Sequence, residues 1–149
     1  MTYEQLDAIA DGINPVLAVL TLVLPFLTRP STPHSRALFF LATAISMTIM
    51  YLIGWVDKLF GLWAAFQLDY SSHTGFAVVL LISLSIWRRN LIPPSAFILL
   101  SYITLMLYQK YHSVPDIVTT AAVIGALTIV FQLALLGLYR RRITTVHSR

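Results

Sequence analysis

The sequence contains no cysteine, and only 11% of its 149 residues are charged. The absence of cysteine excludes a disulfide framework, a thiolate nucleophile and a cysteine-ligated metal. Any catalysis must therefore use histidine, aspartate, lysine or hydroxyl groups. The scarcity of charge, together with a hydrophobic content of 58%, lies far outside the range of soluble globular domains. We therefore expect an integral membrane protein that forms a single membrane domain over residues 1–149.

Five apolar stretches have about the length needed to cross a bilayer, because about 20 helical residues span the hydrocarbon core. We predict an all-α membrane bundle with five transmembrane helices, which cover residues 13–28, 37–55, 72–87, 95–110 and 114–139. The segment Leu59 to Leu68 is too short to cross, and its aromatic content is typical of the lipid–water interface. We expect it to form a short interfacial or re-entrant helix that covers a polar pocket between the third and fifth spans.

The charged residues divide between the two ends of the predicted bundle. All the arginines fall in one set of loops, without any acidic residue: Arg29, Arg36, Arg88, Arg89, Arg140, Arg141, Arg142 and Arg149. The opposite set contains all the acidic residues and the two lysines: Glu4, Asp7, Asp11, Asp57, Lys58, Asp69, Lys110 and Asp116. The positive-inside rule assigns the arginine side to the cytoplasm. The N-terminus is then outside and the C-terminus cytoplasmic, and the compact, loop-poor chain suggests a bacterial cytoplasmic membrane.

Two short polar motifs lie on the predicted outer side, and each stands just before an apolar span. They are Asp69-Tyr70-Ser71-Ser72-His73-Thr74-Gly75 and His112-Ser113-Val114-Pro115-Asp116. The N-terminus of a helix attracts anions through its free N–H groups and its dipole, so two such ends side by side would suit a phosphate. If the last helix extends back to His112, Asp116 shares a face with it and can orient the imidazole.

The two motifs together resemble signatures of the type 2 phosphatidic acid phosphatase superfamily. The stretch Tyr70 to Gly75 is similar to its P-S-G-H-T motif, and His112 to Asp116 is similar to its H-x-x-x-D motif. Their order, their separation by one helical hairpin and their predicted outward placement agree with the family. The resemblance covers the chain from about Asp57 to Tyr139.

The resemblance implies a lipid phosphate or pyrophosphate phosphatase, or a phosphotransferase, that works through a phosphohistidine and needs neither metal nor cofactor. His112 would attack the phosphorus, Asp116 would orient His112, and His73 would protonate the leaving group. The implied substrate is a membrane lipid such as a polyprenyl or glycerolipid phosphate. Which lipid it is, and whether the product results from hydrolysis or from transfer, stays open at this point.

The chain departs from the family pattern where arginines normally clamp the phosphate. Lys58 is present, but Ala65-Phe66 occupies the place of the family's Arg-Pro, and Leu105-Met106 that of its Ser-Arg. Ser72 replaces the glycine of the histidine motif. The sphingomyelin synthase branch of the superfamily likewise keeps the two histidines and the aspartate without these arginines. The groups left to bind phosphate are Ser71, Ser72, Thr74, Lys58 and Lys110.

Other interpretations fit parts of the same pattern. Ser113 and Asp116 match a capping box and Ser72 could cap its helix, in which case the motifs only start helices. Asp69 with His73, and His112 with Asp116, have the spacing of metal ligands. A catalytically silent lipid-binding or assembly subunit would also keep the fold. A homo-oligomer or a partner subunit is compatible with each interpretation, and no nucleic acid is expected as a partner.

Overall fold

The computed structural model describes residues 3–27 and 32–147, with the side chains of residues 4–27 and 32–139. In this part of the chain all regular structure is helical. The five α-helices are α1 (Tyr3–Leu27), α2 (Pro33–Phe60), α3 (Ser72–Trp87), α4 (Ile92–Tyr108) and α5 (Val114–His147). Helices α1, α2 and α5, and α4 with the short turn before it, are each long and apolar enough to cross a membrane. These helices indicate an integral membrane protein.

Helix α3 is the centre of the bundle. It packs against each of the other four helices, and nine of its 16 residues are buried. Its length is about 24 Å at about 1.5 Å per residue, which is less than the hydrocarbon thickness of about 30 Å. Because α3 packs against the other four helices, it meets protein over most of its surface. The outer helices instead expose large apolar side chains such as Val16, Phe97 and Val130.

Helices α3 and α5 run parallel and in register. The backbone N–H of Ser71 donates to Thr120 Oγ1 at 3.1 Å, and the Gln132 amide donates to Ser83 Oγ at 2.7 Å. Both pairs are separated by 49 residues in the sequence, so the offset between the two helices is constant. Both helices consequently begin at the same end of the bundle. We call this the motif end, and the end that contains Arg36, Arg88 and Arg89 the arginine end.

The helix bounds predicted for the third span, residues 72–87, are confirmed by α3, although α3 is shorter than the four helices that are long enough to cross a membrane. The other predicted spans differ in their ends. Helix α1 begins at Tyr3 rather than near residue 13, because acidic residues in its early turns favour a helix N-terminus. Helix α5 continues to His147 instead of ending at residue 139. Pro93 and Pro94 lie in the first turn of α4, where proline is well tolerated.

The prediction of an interfacial helix over residues 59–68 is wrong. Helix α2 continues to Phe60 and ends at Gly61, whose φ of 63° lies in the left-handed region that favours glycine. A single 3₁₀ turn, Ala64–Phe66, follows. The loop still covers the start of α5, because Trp63 Nε1 donates to Thr119 Oγ1 at 3.0 Å. The Trp63 N–H is held in turn by Asp57 Oδ1 at 2.7 Å.

The described charges keep the predicted division between the two ends. Arg36, Arg88 and Arg89 lie at the arginine end, and the described acidic residues and lysines lie toward the motif end. Arg29 and Arg149 lie outside the described residues, and so do the side chains of residues 140–142.

Candidate functional site

Asp116 is a buried anchor at the motif end, with only 7% of its surface exposed. Its Oδ2 accepts hydrogen bonds from the Ser113 N–H at 2.8 Å and the Ser113 hydroxyl at 2.6 Å. Its Oδ1 accepts from the Asp69 N–H at 2.8 Å. In the reverse direction, the Asp116 N–H donates to Ser113 Oγ at 3.4 Å. These contacts form the capping box that was one of the alternatives from sequence, and they also tie the first motif to α5.

His112 pairs with Asp69 rather than with Asp116. Because α5 begins at Val114, His112 precedes the helix and the four-residue spacing does not bring it onto the face of Asp116. The His112 Nδ1 lies 3.3 Å from Asp69 Oδ2, an ion-pair distance, without forming a hydrogen bond to any residue in the described part of the chain. Asp69 is therefore the carboxylate at ion-pair distance from His112 Nδ1, while Asp116, engaged by Ser113 and Asp69, still interacts electrostatically with the imidazole. That Asp116 orients His112 stays a prediction.

The His112–Asp69 pair lies at the edge of the protein. The side chain of His112 is 14% exposed, whereas that of Asp69 is 74% exposed. The imidazole is thus largely enclosed while its carboxylate partner faces outward. A carboxylate at this distance can favour the tautomer with the proton on Nδ1 and leave Nε2 for a ligand.

Ser71 and Thr74 are fully buried and serve the start of α3. Ser71 Oγ accepts from the Thr74 N–H at 3.3 Å, so the cap of this helix is Ser71 and not Ser72. The two hydroxyl oxygens lie 2.8 Å apart, and Thr74 also contacts the Met106 sulfur at 3.9 Å. Their hydroxyl groups are satisfied inside the protein. The structure does not present them to a phosphate as the sequence predicted.

Gly75, the last residue of the first motif, has a packing role. A Cβ at this position would lie 3.1 Å from Met50 Cγ and 3.2 Å from the Tyr70 hydroxyl oxygen. These distances are closer than ordinary van der Waals contact, so the glycine lets α2 and Tyr70 approach α3. The presence of glycine in the motif is explained by this contact.

Tyr70 locks the loop of the first motif onto α2, a role that the sequence analysis missed. Its hydroxyl donates to the Met50 carbonyl at 3.0 Å, and its ring packs edge-on against Trp63 with 5.1 Å between centroids. Burial, followed by the nearby Asp57 carboxylate and Tyr51, raises the pKa of Tyr70 to about 12. The phenol therefore stays protonated at neutral pH and keeps its hydrogen bond.

His73 and Ser72 line a cavity of about 400 Å³ on a side of α3 that does not face α5. The cavity is enclosed by residues of α1, α2, α3 and α4: Ala10, Asp11, Asn14, Pro15, Tyr51, Ser72, His73, Phe76 and Tyr102. The Asn14 amide donates to the His73 carbonyl at 3.3 Å, while Asn14 Oδ1 is buried without a partner among the described residues. The polar pocket predicted between the third and fifth spans is thus wrong in its position. At the motif end a hydrogen bond joins the start of α3 to α5, and the polar cavity of the described residues lies on another side of α3.

The polar residues of α1 that line this cavity, Asp11 and Asn14, were not among the predicted site residues. Asp11 and Asn14 precede or interrupt the first apolar stretch, and polar residues in such a position often mark a functional cavity. That signal was present in the sequence. Asp11 was not placed in the membrane domain's interior because the first span was predicted to begin only at residue 13.

The two lysines predicted to bind phosphate, Lys58 and Lys110, are both exposed. Neither ammonium group forms an ion pair or a hydrogen bond with any residue in ranges 4–27 and 32–139. The metal interpretation also lacks support, since no three histidine, aspartate or glutamate side chains lie together as a metal site in the described part of the chain.

The chain matches no protein-family model, no curated protein and no solved structure. The chemistry open to the protein therefore depends on the geometry of its motif end. That geometry comprises an enclosed imidazole beside a carboxylate at two adjoining helix N-termini, and a second imidazole that opens to a cavity nearby on α3.

Proposed function

We propose that the protein is a lipid phosphate phosphatase or phosphotransferase, a divergent relative of the type 2 phosphatidic acid phosphatases, with His112 as its nucleophile. The observation that carries the proposal is the 3.3 Å approach of His112 Nδ1 to Asp69 beside the N-termini of two parallel helices. Parallel helices add their dipoles, so this end of the bundle attracts a phosphate. Asp69 favours the tautomer with the proton on Nδ1, which leaves the Nε2 lone pair for attack.

In the proposed reaction, His112 Nε2 attacks the phosphorus of a lipid phosphate, and a nitrogen–phosphorus bond forms as the bond from phosphorus to the lipid oxygen breaks. His73, exposed in the first turn of α3, gives a proton to the leaving oxygen. Water then attacks the phosphorus, releases phosphate and restores His112. An alcohol in place of water would give transfer instead of hydrolysis.

The proposed substrate is a polyprenyl or glycerolipid phosphate that reaches the site from the membrane. By the positive-inside rule the arginine end is cytoplasmic, so in the proposal both histidines face the periplasm or the exterior of a bacterial cytoplasmic membrane. A lipid at this level keeps its tails in the bilayer while its phosphate lies beside His112. The proposed roles require Ser72 rather than Ser71 or Thr74 as the hydroxyl donor, since only Ser72 is exposed.

The test is phosphate release from a panel of lipid phosphates, measured in detergent with EDTA present. His112→Ala and His73→Ala are each expected to lower the rate at least about 100-fold, the usual contribution of such groups. His34→Ala is the matched control, because His34 is an exposed histidine at the arginine end. Release that persists unchanged in His112→Ala would refute the proposal.

A second pair of variants separates the proposed role of Asp69, which is to orient His112, from the role of Asp116 in the stability of the fold. Asp69→Asn removes the charge beside His112 and is expected to lower kcat while the protein stays folded. Asp116→Asn removes acceptors from the capping box and is expected to lower the free energy of unfolding first. Equal loss of kcat and of stability in both variants would contradict the role proposed for Asp69.

The structure also favours a second candidate, a catalytically silent lipid-binding or assembly subunit. The polar groups of Ser71, Thr74 and Asp116 are engaged within the protein, and His73 opens to a cavity that His112 does not line. No phosphate release from any lipid tested, from a protein that remains folded and monodisperse, would support this candidate over the enzyme.

A further inference from the structure

A long groove lies between α4 and α5 at the arginine half of the bundle, far from the histidine pair. Both helices pack on α3 but make little contact with each other, so α3 forms the floor of the groove through residues such as Val78 and Ile82. The groove has a volume of about 960 Å³. On the α5 side its wall is low, because small residues such as Ala122, Gly125 and Ala126 line it. We call this the α4–α5 groove.

The chemistry of the groove differs along its length. Among the described side chains, its lining is apolar or small except for Ser85, Arg89 and Ser95, which all belong to the arginine end. The Ser85 hydroxyl already donates to the Leu81 carbonyl at 2.7 Å. The charged group that can bind a ligand at this end is the Arg89 guanidinium. Arg89 is exposed, and its guanidinium has no ion pair or hydrogen bond within residues 4–27 and 32–139. The groove is thus apolar along most of its length and cationic at one end.

The charge at this end is reinforced by the neighbouring helix. Helix α4 begins at Ile92, three residues after Arg89, so the positive end of its dipole adds to the guanidinium, although Pro93 and Pro94 have no N–H groups to donate there. An arginine can bind a phosphate through two parallel hydrogen bonds. The matching occupant carries an anionic phosphate at one end and a long apolar chain behind it.

The length of the groove fits such an occupant. Along α5 its lining extends from Ala121 to Gly137, which is about 24 Å at about 1.5 Å per residue. One leaflet contributes about 15 Å of hydrocarbon, so a chain anchored at Arg89 can lie in the groove over the full depth of its leaflet. A small soluble anion would leave this apolar length unused.

We propose that the α4–α5 groove binds one acyl chain of an anionic phospholipid whose phosphate is held by Arg89. This site lies at the opposite end of α3 from the histidine pair, and the proposal does not depend on the proposed enzymatic function. The lipid fills the space between α4 and α5, which both pack on α3 but make little contact with each other. It belongs to the leaflet on the arginine side.

The test is native mass spectrometry of the purified protein, titrated with dioleoyl phosphatidylglycerol or with dioleoyl phosphatidylcholine. The wild type is expected to retain one phosphatidylglycerol more tightly than phosphatidylcholine. Arg89→Gln is expected to reduce this preference about tenfold, the effect of losing a hydrogen bond to a charged group. Arg36→Gln is the matched control, because it removes a charge from the same end but lies outside the groove.

A second variant tests the apolar part of the site. Ala126 is exposed and lines the groove, so Ala126→Phe is expected to fill the groove and abolish retention of both lipids while the helical content is unchanged. An unaltered lipid preference in Arg89→Gln would overturn the proposal. A wild-type dimer that Ala126→Phe converts to a monomer would also overturn it, because the groove would then hold a second copy of the chain.

Discussion

Replacement of Gln132 by leucine tests how three helices are held together in the interior of the bundle. Gln132 is only 2% exposed, and its amide donates to Ser83 Oγ at 2.7 Å and to Ser46 Oγ at 3.2 Å. Each serine donates its own hydroxyl hydrogen to the carbonyl four residues before it. The serine oxygens can therefore accept from Gln132, and one side chain of α5 connects α2 with α3.

The expected cost follows from this geometry. Leucine has a similar volume and leaves the serine-to-carbonyl bonds intact, so the variant creates neither a large cavity nor an unsatisfied serine hydrogen. Hydrogen bonds between membrane helices average about 0.6 kcal/mol each, with about 1.7 kcal/mol as the largest values. Loss of two of them should lower the free energy of unfolding by about 1 kcal/mol. The bond to Ser83 should contribute more than the bond to Ser46, because it is shorter.

The assay is unfolding by SDS in mixed micelles, followed by far-ultraviolet circular dichroism, in a double-mutant cycle of Gln132→Leu with Ser83→Ala. A coupling energy of about 0.6 kcal/mol is expected. Ser85→Ala is the control partner. The Ser85 hydroxyl also donates to a carbonyl of its own helix, but the Gln132 amide donates to Ser46 and Ser83 instead, so Ser85→Ala should show no coupling. Unchanged stability in Gln132→Leu, with zero coupling to Ser83→Ala, would refute the reasoning.

Three further predictions concern the motif end. A Cβ on Gly54 would lie 2.7 Å from Tyr70 Cε1, so Gly54→Ala should lower the free energy of unfolding by about 1–3 kcal/mol. Gly12 has open space around it, so Gly12→Ala should not lower the free energy of unfolding in this way. Equal effects of the two variants would contradict the packing argument. Because the pKa of Tyr70 is raised to about 12 from 10.0, its proton stabilises the fold below pH 10.0, and this stability is lost as the pH rises toward 12. Unfolding measured against pH should show this loss in the wild type and not in Tyr70→Phe, and identical alkaline curves would count against it. Asp116→Asn should cost about 1–3 kcal/mol, measured by the same unfolding assay, because it leaves buried donors without their acceptor, while Asp69→Asn should cost little; the reverse order would be evidence against Asp116 as the anchor.

The fold was predictable where local sequence signals coincide with hydropathy. Helix α3 was predicted with its observed ends because the polar Ser71 precedes it and Arg88 follows an apolar run without interruption. The start of α1 was missed because hydropathy does not register polar residues that still form helix. The segment around Gly61 was misread because its aromatic content fits a surface helix and a loop equally well.

The candidate site was predictable in its location but not in its contacts. Charge and hydropathy correctly brought both motifs to one end of the bundle. The partner of His112, however, depends on where α5 begins. The helix starts at Val114, and the Ser113–Asp116 cap engages the carboxylate that His112 was expected to use.

The sequence alone determined that the chain is helical, apolar enough for a membrane and divided in charge between its ends, because these are properties of composition and periodicity. Only the tertiary structure decided that α3 is enclosed by the other helices, that Asp69 stands beside His112, and that His73 opens to a cavity with Asp11 and Asn14. The physical reason is that helical periodicity states which residues share a face but not which neighbour that face meets. That choice is made by packing and by the few buried hydrogen bonds, such as those of Asp116 and Gln132, that set one helix against another.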